Sequence, residues 1–137
     1  MEISPQLLDD VVAHALEDPA NEICGVVAVR SNGDGAQAVA VHRARNVHES
    51  PLRFEIDPRE LLDLYNTIDG DGLDLGAIYH SHVRSAPYPS QTDINFAAGW
   101  PGVEWIIVGL AGSEPEVRSY LIEGGTVREL PLQAPSS

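Results

Sequence analysis

Cysteine occurs once, at Cys24, in a chain of 137 residues. A single thiol can form neither an internal disulfide nor a cysteine-rich zinc cluster, so any metal must be held by nitrogen and oxygen ligands. Lysine does not occur. The eight basic residues are all arginine, which excludes Schiff-base and lysine-nucleophile chemistry. They stand against twenty-one acidic residues, and the resulting net charge of -13 opposes the phosphate contacts on which nucleic-acid affinity depends. It repels anionic membranes as well, and the acidic excess reads as a solvated surface. There is no apolar run of about eighteen residues, the length a membrane-spanning helix needs. The opening MEISPQLLDD carries acids where a secretory leader needs a basic and then an apolar region, so a soluble cytoplasmic protein is expected.

What remains is enough for one ordinary domain with one core, 43% of it hydrophobic. Ser4-Pro5 is an N-cap and first-turn pair, and Leu7, Leu8, Val11, Val12, Ala15 and Leu16 follow at helical spacing up to Pro19. Ile23 to Val29 is a β-branched apolar run. The SNGDG that begins at Ser31 is a hairpin turn into a second strand, Ala36 to Arg43. Asn46 to Pro51 reads as loop, and Arg53 to Ile56 as a short strand. Asp57-Pro58-Arg59-Glu60 opens a second helix, with Leu61, Leu62, Leu64, Tyr65 and Ile68 as its buried face. Leu73 to Tyr79 is a strand that delivers His80-Ser81-His82 at its end. Ser90 starts a third helix, running to about Ala98, and Val103 to Leu110 is a further strand. Val117 to Ile122 and Thr126 to Leu130 form a last hairpin. The expected architecture is a single α/β domain over 1–132, with a disordered tail at 133–137.

Residues two apart on a strand face the same way, so His80 and His82 present both imidazoles to one point. Asp93, in the first turn of the next helix, can be folded back to the same place by the intervening SAPYP segment. Two imidazoles and a carboxylate leave a tetrahedral zinc one open position, the pattern of a catalytic ion. Each part alone has a plainer reading: a His-x-His satisfied by solvent, or a Ser-x-x-Asp that only caps a helix. Together, in HSHVRSAPYPSQTD, they form a long joint pattern. A base is also required, and Glu22, Glu49 and Glu55 compete equally for that part. Cys24 reads as a small core residue, Trp100 and Trp105 as core or rim, His14 as lacking a partner, and His48 as a solvated loop histidine.

His-Ser-His, seven residues, Ser, two residues and Asp resembles the signature of the JAMM (MPN+) zinc metallopeptidases. Glu22-Ile23-Cys24-Gly25-Val26, the Asn46 to Pro51 loop followed by Phe54, YPSQTD and the closing RSYLI look like its small bacterial Mec-type members. Those members remove cysteine from the C-terminus of a ubiquitin-like sulfur-carrier protein. The resemblance implies a cytidine-deaminase-like sandwich with a mixed, mostly antiparallel sheet flanked by helices. It implies one zinc ion on His80, His82 and Asp93, Glu22 as general base, and Ser90 as stabiliser of the tetrahedral intermediate. The implied substrate is the carrier protein or its cysteine adduct, the alternatives being a deconjugating isopeptidase for another ubiquitin-like modifier, a peptide hydrolase or a non-catalytic MPN scaffold; the charge leaves neither nucleic acid nor membrane as partner. True deaminases are excluded, because their Pro-Cys-x-x-Cys needs more than one cysteine. A RadC-like protein would continue His82 into Pro-Ser-Gly, where Val83-Arg84-Ser85 stands. A TIM-barrel amidohydrolase would need at least about 200 residues.

Overall fold

Three helices begin where a side chain can satisfy their free amides. The Ser4 side chain accepts from the Leu7 N–H and opens α1 (Pro5–Glu17). Asp57 accepts from Arg59 and opens α2 (Pro58–Gly70). Ser90 opens α3 (Gln91–Ala97) through a full capping box with Asp93. The computed structural model describes residues 1–32 and 35–133; the centre of the expected SNGDG turn and all but the first residue of the expected tail lie outside them. Among the described residues no helix is long and apolar enough to cross a membrane.

Six strands, β1 (Cys24–Asn32), β2 (Gly35–Ala44), β3 (Asp74–His82), β4 (Glu104–Gly109), β5 (Glu116–Glu123) and β6 (Thr126–Leu130), form one sheet in the order β2-β1-β3-β4-β5-β6. Every neighbouring pair is antiparallel except β3 and β4, which α3 connects as a crossover. The sheet is therefore mixed and mostly antiparallel, as expected. β1 lies between β2 and β3 and buries both faces, which is why Ile23 to Val29 reads as an unbroken apolar run. Ile23, Val27 and Val29 join Val11 and Ala15 of α1 in one cluster. Cys24, Val26 and Ala28 join Leu61, Ile68 and Trp105 in the other, on the side of α2. Helices on both faces make this an α/β sandwich.

Three local expectations are corrected. Arg53 to Ile56 alternates correctly, with Phe54 and Ile56 buried and Arg53 and Glu55 exposed, but no strand pairs with it. Only an isolated bridge joins Ile56 to Asn46. In α2, Leu61 and Ile68 are buried, while Leu62 and Tyr65 sit on the flank, 57% and 43% exposed. Gln133, expected in the tail, instead pairs with Glu2, which also pairs with Gln37 of β2.

Candidate metal centre

β3 carries His80 and His82 at its C-terminal end, where its antiparallel neighbour β1 and its parallel neighbour β4 leave a switch in strand direction. Cys24, the first residue of β1, pairs in register with His80, so Glu22, two residues before the strand begins, is brought to the same end of the sheet beside the histidines. Ser81, fully buried between the histidines, locks this register. Its Oγ accepts from the Ile23 N–H at 3.0 Å, and its N–H donates to the Ile23 carbonyl at 3.1 Å. The capping box of α3 turns Asp93 inward, and the Ser90 N–H donates to Asp93 Oδ2 at 2.9 Å.

Three atoms converge. His80 Nε2 lies 3.1 Å from His82 Nε2 and 3.1 Å from Asp93 Oδ2, and His82 Nε2 lies 3.3 Å from the same oxygen. His82 Nδ1 is 2.8 Å from the Ala86 carbonyl, which only accepts, so that nitrogen carries the proton and Nε2 of the neutral ring points a lone pair inward. With a lone pair from each imidazole, two nitrogens and a carboxylate oxygen aimed at one point form a donor set for a cation. Ligand atoms about 2.0–2.1 Å from a tetrahedral zinc stand about 3.3 Å apart, so the donor set fits such an ion in both chemistry and spacing. The Glu22 carboxylate joins this group, with its oxygen and the two imidazole nitrogens all within 4.8 Å of one another.

The electrostatics separate the two carboxylates. Burial pushes Glu22 up to about 7; Asp93 adds to the rise and His82 opposes it. Burial would also raise Asp93, but His80, His82 and the Ser90 amide outweigh it and hold that carboxyl well below the usual range. Burial lowers His80 against the pull of Asp93. Burial lowers His82 too, but the Asp93 bond, the Ala86 carbonyl and the Asp93 and Glu22 charges prevail and raise it. A carboxyl that holds a proton near neutrality thus stands beside one that stays ionised, the division of labour a proton-transfer site needs.

All five residues singled out in the sequence fall in this region. Asp93 and both histidines are buried together, and Glu22 is buried beside them. Ser90 is exposed and uses its Oγ to accept from the Asp93 N–H at 3.1 Å, which leaves the hydroxyl proton free to donate. The competing Glu49 and Glu55 are exposed, and His48 stands 3.6 Å from Glu55. Trp105 is core and Cys24 is buried, as expected. Ser81 and the Ala86 carbonyl were not foreseen. Only the position of Ser81, between two candidate ligands on one strand, signalled its part.

The family model described as prokaryotic homologs of the JAB domain matches residues 4–123. The chain is 33% identical over 132 residues to the CysO-cysteine peptidase of Mycobacterium tuberculosis, covering 95% of this chain and 88% of that protein. It is 38% identical over 104 residues to a desampylase of Haloferax volcanii, covering 72% and 73%. A protein of Desulfitobacterium hafniense solved in solution superposes with a TM-score of 0.86 at 28% identity, covering 99% of this chain and 93% of that one.

Proposed function

Because the chain belongs to the JAMM/MPN family, as one of its prokaryotic JAB-domain hydrolases, we propose that it is a zinc peptidase acting on the C-terminal Gly-Gly tail of a ubiquitin-like sulfur-carrier protein. It hydrolyses the amide bond after that tail and releases cysteine or another small amine. Residues 1–132 are the catalytic domain in this reading. The single reduced thiol suits the cytoplasm. The observation that carries the proposal is the convergence of His80 Nε2, His82 Nε2 and Asp93 Oδ2 beside a buried glutamate held near neutral pKa. The CysO-cysteine peptidase, similar across nearly the whole chain, supports the substrate class.

In this reading His80, His82 and Asp93 would hold the zinc, which when bound would supply Lewis acidity for attack of water on an amide carbonyl. Glu22 takes a proton from that water. It then passes the proton to the departing amine. The free hydroxyl proton of Ser90 donates to the oxyanion as it forms. Ser90 also keeps Asp93 turned inward through its amide. The desampylase likeness favours a second reading, release of a ubiquitin-like modifier from a protein amine, with the same residues in the same roles.

The test is incubation of zinc-loaded protein with two adducts of a Gly-Gly carrier tail, one to cysteine and one to a lysine side chain, with products weighed by mass spectrometry. The expected result is release of cysteine, abolished by chelation and reduced at least about a hundredfold in Glu22→Ala. Equal activity of Glu22→Ala and the unsubstituted protein would falsify the mechanism. Cleavage of the lysine adduct alone would favour the second reading.

A further inference from the structure

The loop 46–56 contributes none of the residues assigned above, yet it touches both halves of the site. Asn46 is buried, and all four hydrogen-bonding positions of its amide are filled. Its Nδ2 donates to the carbonyls of Glu22 and Arg53, each at 3.0 Å. Its Oδ1 accepts from the amides of His48 and Glu55, each at 3.1 Å. The Glu22 N–H in turn donates to the Ser50 carbonyl at 2.8 Å. Both backbone groups of Glu22 are therefore gripped by this one loop, just before the β1 ladder begins.

Phe54 leaves the same loop and stacks on His80, with ring centroids 4.4 Å apart and planes at 24°. The two imidazoles are restrained differently. His82 is tied through Nδ1 to the Ala86 carbonyl, whereas His80 Nδ1 is buried with no hydrogen-bond partner among the described residues. The face of the His80 ring is thus fixed by packing where the other ring is fixed by a hydrogen bond.

We propose that loop 46–56 is a positioning bracket: Asn46 fixes the base Glu22, Phe54 fixes the ligand His80, and the loop between them sets how far apart the two stand. The proposal rests on the roles given to Glu22 and His80 above. A fully satisfied buried amide is rigid and intolerant of change. A base displaced by about 1 Å costs on the order of a hundredfold in rate. Asn46 acts on a residue that holds no metal and Phe54 on one that does, so their loss separates two readouts that general destabilisation would move together.

The experiment compares Asn46→Ala, Asn46→Asp and Phe54→Leu. The aspartate variant keeps the Oδ1 acceptor and sets a second carboxyl oxygen against the Glu22 and Arg53 carbonyls in place of the amide donors. Zinc affinity is measured by chelator competition, kcat and KM on the carrier adduct, and exchange of the Glu22 amide by NMR. Both Asn46 variants are expected to lower kcat at least about tenfold and to speed Glu22 amide exchange, with KM and zinc affinity within about twofold. Phe54→Leu is expected to weaken zinc binding about tenfold, with kcat at saturating zinc nearly unchanged. Unchanged turnover or amide exchange in both Asn46 variants, zinc affinity falling alongside turnover in both, or unaltered zinc affinity in Phe54→Leu overturns the bracket. If the unsubstituted protein cleaves no adduct, the reading of the reaction fails instead, and the exchange and zinc measurements still decide the bracket.

Discussion

Gly25 offers a test that needs no substrate. It stands in β1 between Arg43 of β2 and Tyr79 of β3, and a Cβ placed on it would collide with the edge of the Tyr79 side chain, at Cε2, Cζ and the hydroxyl. That ring has nowhere to go. Tyr79 is fully buried among Val27, Ala77, Ile106 and Val108, and its hydroxyl is 2.7 Å from His14 Nδ1. Overpacking a filled core costs about 1–3 kcal/mol, and displacing the hydroxyl loses a hydrogen bond of about 1 kcal/mol. Relief of the glycine's own strand penalty returns about 0.5–1 kcal/mol. Gly25→Ala should therefore destabilise the domain by about 2 kcal/mol, which for a domain of this size lowers Tm by roughly 7 °C. Urea unfolding followed by circular dichroism measures it, within a cycle of Gly25→Ala, Tyr79→Ala and the double variant. The methyl group should cost almost nothing once the ring is gone. The same cost in both backgrounds would refute the argument, since the ring would not be what the methyl group strikes.

Other consequences are as direct. His14 is held below its ordinary pKa by burial and by the Arg43 charge, with Glu17 opposing. Below about pH 6.5 the unfolded chain takes a proton that the folded chain resists, so stability falls as pH falls. In His14→Asn the urea midpoint should decline less between pH 7 and pH 5, and parallel curves would reject this. The Cys24 thiol, pushed up to about 12 by burial and by Glu60 and Glu22, should resist iodoacetamide at pH 8 until urea unfolds the chain. Rapid alkylation of native protein would contradict its burial. Tyr120 donates its hydroxyl to the Pro87 carbonyl, in the segment that also presents the Ala86 carbonyl to His82. Tyr120→Phe should cost about 1 kcal/mol in urea and weaken zinc binding, and unaltered zinc affinity would show that this tether does not reach the site.

The convergence of the candidate ligands was legible because its geometry is local. His80 and His82 converge through strand alternation, and Ser90 and Asp93 through helix capping, each within a few residues. Glu22 was not legible without the family pattern. What separates it from Glu49 and Glu55 is the pairing of Cys24 with His80, a contact across 56 positions of sequence that no local period encodes. Arg53 to Ile56 shows a related limit. Its two-residue alternation was real, yet alternation records which side chains are buried and not whether another strand lies alongside. In α2 the apolar residues cover more of the helix than the sheet can bury, so Leu62 and Tyr65 were counted inside and stand outside. Asn46 carries its bonds in an irregular loop, where neither period applies.

Six strands laid side by side have two open rims, and an unguarded rim invites a strand from another molecule. Here the rim of β2 near Ala36 is occupied by the protein itself. Glu2 exchanges backbone hydrogen bonds with Ala36 and Ala38, and Ile3 donates onward to Gln133. A would-be intruder on that side has to evict two segments of the host. It meets less resistance at the opposite margin, along Thr126–Leu130, where among the described residues the exposed charges of Arg128 and Glu129 stand guard.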